Sequence, residues 1–260
     1  MQGLVPKGSP SAGPPSAVQE KGTVLTTYEI IITDVTRYGS LYCVAGWDLQ
    51  SGMIRPEPAS ANTINEASRF WGGESAGAGK FFAVGNVVRF NAAAPPSHFP
   101  FPHATEDRIF AARDNNAAIL RQLTPAQLFQ TVAAGVSASL GQVFGGRLQR
   151  ANSGKAHVIA GEQTCSLDGI EIAPRSISFY ESNPSPGKQQ LRALIDQNGV
   201  EYDLSVPADA AKSRFLANGV AALQADARAS ERIHVRLGLC RPFAAMPNSC
   251  YAQVNGLYFL

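Results

Sequence analysis

The sequence predicts a mainly β fold with some α: two small β-barrels joined by a helical segment. Three observations carry this. Apolar, β-branched runs separated by turn dipeptides fill both halves of the chain, about five strands to a half. A single well-signalled helix start, Thr124-Pro125-Ala126-Gln127, falls between them. Gly46 lies inside an apolar strand, where a missing side chain marks the bulge or sharp bend that a small barrel needs at its corners. The expected division is a disordered tail over 1–22, a first barrel over 23–105, a helical connector over 106–150 and a second barrel over 151–260.

Taken in order, Met1 to Gly22 is rich in Pro, Gly, Ser and Ala and has little to bury; Leu4-Val5-Pro6-Lys7-Gly8-Ser9 within it looks like a protease-site linker. Val24 to Val35 is a β-branched run, and Arg37-Tyr38-Gly39-Ser40 turns it into Leu41 to Trp47. Leu49 to Gly52 supplies the next turn, and Met53-Ile54-Arg55 resumes the strand until Pro56 ends it. Gly72 to Lys80 is a glycine-rich connection. It fails as a phosphate loop, because Glu74 stands where the first glycine belongs and Phe81 where Ser or Thr belongs. Phe81 to Phe90 predicts two short strands or one bent strand about Gly85-Asn86, and Pro95 to His103 is too proline-rich for helix or central strand.

From Thr124 the stripe Leu128, Val132, Val136, Leu140 predicts a helix running to about Leu140, before Gly145-Gly146. Strands return at Lys155 to Ala160, as a hairpin over Thr164 to Ile172 about Asp168-Gly169, and at Ile177 to Tyr180. Leu191 to Ile195 and Glu201 to Val206 flank Asn198-Gly199, the strongest hairpin signal in the chain. Ala208 to about Arg228 is helical in composition despite Gly219. Ile233 to Leu239 alternates as a strand and stops at Arg241-Pro242. Ser249 to Val254 and Leu257 to Leu260 close the chain around Asn255-Gly256. The two strands ending in Arg-Pro, Val44 to Pro56 and Val235 to Pro242, hint at internal duplication.

Composition narrows the function. With 45% hydrophobic and 16% charged residues the chain is globular. A net charge of +2 rules out binding a polyanion through bulk charge, so such a site must be a local patch; Arg outnumbers Lys 16 to 6, and Arg offers phosphate a bidentate fork. Cys43, Cys165, Cys240 and Cys250 form no CxxC pair and no metal-ligand spacing, so no metal and no cofactor is expected. Neither a membrane-length apolar run nor a signal pattern is present, which leads to the expectation of a cytoplasmic protein without membrane partners.

Four blocks carry a family resemblance: Ile32 to Arg37 leading into Cys43 to Asp48 and Ile54-Arg55-Pro56; His103-Ala104-Thr105-Glu106-Asp107; His234 to Pro242; and Val254-Asn255-Gly256-Leu257-Tyr258. In this order they resemble the dual OB-fold family of bacterial conflict and anti-phage systems. The resemblance spans about Val24 to Leu260 and implies two OB-like barrels and nucleic-acid recognition, with no catalytic residues to carry over. The second block departs from the family's His-Pro-Glu-Asp run, having Ala-Thr between His103 and Glu106.

Such barrels hold single strands on aromatic platforms with cations along the backbone path. Tyr38, Trp47 and Trp71 are the candidate platforms, and Arg37, Arg55, Arg236 and Arg241 the candidate phosphate or base contacts. Two other readings stand beside this one. A protein-interaction adaptor serving a defence effector would use exposed strands and the loop at 72–80. A metal-dependent hydrolase would use His103, Glu106 and Asp107, though Asp stands where an inverted zincin motif has its second His.

Overall fold

The computed structural model describes residues 18–20, 23–61, 65–185 and 187–260. The expected tail over 1–22 lies outside them except for β1 (Val18–Glu20), which pairs with the start of β2. The next strands are β2 (Thr23–Tyr38), β3 (Leu41–Asp48), β4 (Gly52–Glu57), the two-residue β5 (Trp71–Gly72), β6 (Asn86–Ala93), β7 (Asp107–Phe110) and β8 (Ala118–Gln122). The pairings β2·β3, β3·β4, β4·β7, β7·β6 and β6·β2 close a ring of five strands, with β4·β7 parallel and the others antiparallel. Closure removes the sheet edges that would otherwise present unpaired backbone. Ile30, Ile32, Val35, Val44, Ile54, Phe82, Val88 and Phe90 fill the interior.

Gly46 shows how the sequence bends this sheet. Opposite it the register of β2 slips at Thr33, and a Cβ on Gly46 would stand 2.5 Å from the Ile31 carbonyl oxygen. Only glycine lets the two backbones cross there. Gly46→Ala is therefore expected to destabilise the protein by about 1–3 kcal/mol, as overpacking does. A fall in urea midpoint checks this, and an unchanged midpoint would contradict it.

The second barrel follows the connector α1 (Pro125–Ala133) and the single turn α2 (Val143–Gly146). Its strands are β9 (Gln149–Arg150), β10 (Ala156–Ile159), β11 (Leu167–Ile172), β12 (Ile177–Ser185), β13 (Lys188–Gln197), β14 (Val200–Ser205), β15 (Ile233–Leu239) and β16 (Ser249–Phe259), with α3 (Asp209–Ala229) between β14 and β15. The strand order β11-β15-β16-β14-β13-β12 becomes the ring of the first barrel once β11 and β12 are taken as one strand, interrupted by the turn at Pro174–Ser176. Again the third and fifth strands, β14 and β16, run parallel. The core gathers Leu140, Val158, Ile170, Ala193, Ile195, Leu204, Leu223, Val235 and Val254, together with Phe215 of α3. The repeat is thus one of whole barrels. The two Arg-Pro segments fall on non-equivalent strands, the second and third of one barrel and the fourth of the other.

Several expectations change. The helix from Thr124 has its capping box but ends at Ala133. Gly135 then passes so close to Trp47 that a Cβ would sit 2.8 Å from the indole, and Ser137 donates its backbone N–H to the Gly169 carbonyl. The apolar stripe is divided: Leu128 and Val132 pack on the first barrel and Leu140 enters the core of the second. β7 and β8 lie within the stretch expected as helical connector and join the first sheet. Phe81 to Phe90 contributes one strand that begins only at Asn86.

Asp168-Gly169 and Asn255-Gly256 are not turns. Asp168 lies within β11, its carboxylate taking the Ser137 hydroxyl and the Phe144 N–H at 3.0 and 2.8 Å. Asn255 marks a register slip inside a continuous β16, with its amide packed over Gly238. Asn198-Gly199 does form its hairpin, with φ of +56° and +78° at the two positions.

Candidate functional site

Along β3 and β4 the side chains alternate. Val44 and Ile54 point into the first barrel, and Cys43, Trp47, Met53, Arg55 and Glu57 point outward. The second barrel and the connector cover this outward face. Trp47 meets Gly135, Met53 Sδ lies 3.2 Å from Arg236 Nη2, Arg55 reaches the Ser166 hydroxyl at 2.8 Å, and Glu57 meets Arg241 at 2.5 Å.

Asp107, fully buried, is the centre of the contact: it pairs with Arg55 at 2.8 Å, Arg69 at 2.9 Å and Arg241 at 2.7 Å. Burial alone would raise its pKa, but Arg55 and then Arg241 overcome that and hold its carboxyl below the usual carboxylate range. Burial pushes Glu57 up, and the Asp107 charge adds to the shift. Glu106 is also pushed up by burial, while its carboxylate takes the Ser166 N–H and hydroxyl at 2.8 and 2.9 Å. His103 lends its Nε2 to the Leu239 carbonyl at 2.9 Å.

These contacts correct the site expected from sequence. Arg55 and Arg236 are buried at 5% and 1% exposure; Arg55 pairs with Asp107, and Arg236 with Asp34 at 3.4 Å. Arg241 is spent on Glu57 and Asp107. A guanidinium held in this way is not free to take a phosphate, so these three arginines join the barrels to one another. Trp47 is an interface wall. Trp71 packs within the first barrel against Phe82 and Phe110 and donates its indole N–H to the Pro56 carbonyl. His103, Glu106 and Asp107 face three different partners, and among the described residues no His, Cys, Asp or Glu group is arranged to hold a metal.

Arg37 and Tyr38 are placed differently. They stand at the turn between the first two strands of the first barrel and border a cleft of about 680 Å³ that runs onto the second. Arg37 pairs with Asp209 at 3.1 Å and is about a quarter exposed; Tyr38 is exposed and donates its hydroxyl to Gln253. The cleft floor is β13 and β14, through Lys188, Gln190 and Ser205, and Lys212 of α3 closes one side. A second hollow of about 350 Å³ continues it past Lys155, Arg192 and Tyr251. Phe243, on the loop between β15 and β16, is exposed and borders both, with its ring 6.1 Å from that of Tyr251.

Lys155, Lys188, Lys212 and Phe243 escaped the sequence reading because they come from separate segments that only the strand order brings together. The available signal was Phe243 itself, an aromatic residue in a loop directly after an Arg-Pro strand end.

Two barrels of one strand order, one with its outer second-and-third-strand face closed and the other with that face open along a cleft, define a two-barrel binding module. The match of residues 28–257 to the model of the Dual OB-containing domain agrees, and the chain belongs to that family. Neither a search of curated proteins nor one of solved structures returns a match. Among the described residues no helix is long and apolar enough to cross a membrane.

Proposed function

We propose that the chain binds single-stranded nucleic acid, without catalysis, along the cleft of its second barrel. The observation that carries this is the cleft's position. OB-type barrels bind oligonucleotides on the face of strands two and three, between the first-to-second and fourth-to-fifth strand loops. Here those strands are β13 and β14; Phe243 belongs to the fourth-to-fifth loop, and Pro184, in the last residues of β12, stands beside the first-to-second one. The chemistry agrees: Lys155, Lys188, Lys212 and Arg37 border the path as cations, and Tyr38, Phe243 and Tyr251 offer ring faces. The bacterial conflict setting belongs to this proposal on the family resemblance alone.

Fluorescence anisotropy with labelled oligo(dT) and oligo(U) tests it. Each stacked base is worth about 1–3 kcal/mol, so Phe243→Ala is expected to weaken binding at least fivefold. Lys188→Ala with Lys212→Ala is expected to weaken it further. Three lysine contacts predict a slope of log K against log salt near about −2. Absence of binding at low salt, or full binding by the folded triple variant, would refute the proposal.

A second reading has one observation in its favour. Among the described residues β8 pairs only with β6, and Ile119 and Leu120 on it are 50% and 40% exposed, an edge to which a protein effector could add a strand. Such an interface would show little salt dependence.

A further inference from the structure

Where the barrels meet, beside the cleft, lies a cavity of about 210 Å³ that shares Tyr38 and Phe243 with it. Its wall includes His103, 1% exposed, and Arg241. The Leu239 carbonyl can only accept a hydrogen bond, so His103 Nε2 carries the ring proton and Nδ1 is a bare acceptor. Among the described residues that Nδ1 has no partner, and neither does Arg241 Nη1, a donor. An acceptor and a donor are thus buried and unmatched in the wall of one cavity, where each unmade hydrogen bond is costly.

We infer that this cavity takes one nucleobase of the strand bound in the cleft, reading its edge with His103 Nδ1 and Arg241 Nη1. This rests on the proposed function. A base fits better than a phosphate. Arg55, Arg69 and Arg241 each already have a carboxylate partner, and a bare imidazole nitrogen repels an anion but accepts a base N–H. Bases splayed from a single strand are recognised by hydrogen bonds along their edges, and Tyr38 and Phe243 at the mouth offer faces for its neighbours to stack on. A donor and an acceptor at fixed positions suit some base edges and leave others unmatched, so the site confers base preference on an otherwise sequence-tolerant cleft.

The test is anisotropy with DNA hexamers of A, C or T only. The wild type is expected to spread at least tenfold between its strongest and weakest hexamer. His103→Gln keeps a donor for Leu239 and moves the remaining acceptor, its amide oxygen, off the Nδ1 position, and Arg241→Lys keeps the charge beside Glu57 and Asp107 while removing Nη1. Each is expected to narrow the spread to within threefold, whereas Lys188→Ala with Lys212→Ala lowers all three affinities in parallel. Equal wild-type affinities, as from a cavity that holds only water, overturn the inference while leaving the proposed function standing, as does a spread that survives in both folded variants. If neither variant folds, the wild-type panel decides. Failure to bind any hexamer overturns the proposed function and the inference together.

Discussion

Asp107→Ala is expected to lower stability by about 3–5 kcal/mol. The wild-type carboxylate has no exposed surface and neutralises three guanidinium groups. Removing it leaves Arg55, fully paired before, with the Ser166 hydroxyl as its remaining close partner, and leaves Glu57 to serve Arg69 and Arg241 alone. An uncompensated buried charge is among the most costly defects a fold can carry. Arg241→Ala removes a side chain that is 17% exposed and leaves both carboxylates with Arg69, so its cost is smaller. Denaturant unfolding of the two variants checks the order. If Asp107→Ala were the milder change, the contact between the barrels would not depend on this carboxylate.

The contribution of His234 to stability is expected to fall steeply as pH drops below about 6.5. Among the described residues neither of its ring nitrogens has a hydrogen-bond partner; the ring lies between Phe129 and Tyr258, Glu171 faces it across the β11·β15 pairing, and Arg236 is two residues along the strand. Burial, and then the charge of Arg236, lower its pKa from 6.5 to about 3. Between those two values the unfolded chain binds a proton that the native protein does not. The His234 contribution is therefore full above pH 6.5 and declines by about 1.4 kcal/mol for each unit below it. His103, lowered by burial and then by Arg241 and Arg55, acts with the same sign. Glu57, Glu106 and Asp34, all pushed up by burial, act with the opposite sign, since the native protein takes their protons first.

A comparison with His234→Phe isolates the histidine from these. The variant is expected to lose stability less steeply than the wild type between pH 6.5 and 5, by about 1.4 kcal/mol per unit. Parallel curves would show that His234 is protonated in the native state.

Much of the architecture was legible in the sequence, because many of its signals are local. The capping box at Thr124, the Asn198-Gly199 turn and the glycine at position 46 act within a few residues or across one strand pair. Where the sequence misled, a long-range contact had taken over a local signal. Asp168-Gly169 has turn chemistry, yet Gly169 is small because Arg236 and His234 press on it from β15. Asn255-Gly256 likewise serves the crossing of β15 and β16.

Of the residues that border the open cleft, the sequence singled out Arg37 and Tyr38, which flank a turn. Arginines at strand ends look alike whether they face solvent or another barrel. The acidic residues that claim Arg55, Arg236 and Arg241 lie 52, 202 and 184 positions away in sequence.

The most direct test of where the strand lies is photocrosslinking of a saturating 5-iodouracil oligonucleotide to the wild-type protein, with the attachment sites mapped by peptide mass spectrometry. Attachment is expected at Tyr38, Phe243 and Tyr251, the aromatic residues of the open cleft. Attachment at Trp47 or Trp71 instead, or none at all under saturating conditions, would mean that the second barrel's open face is not where nucleic acid binds.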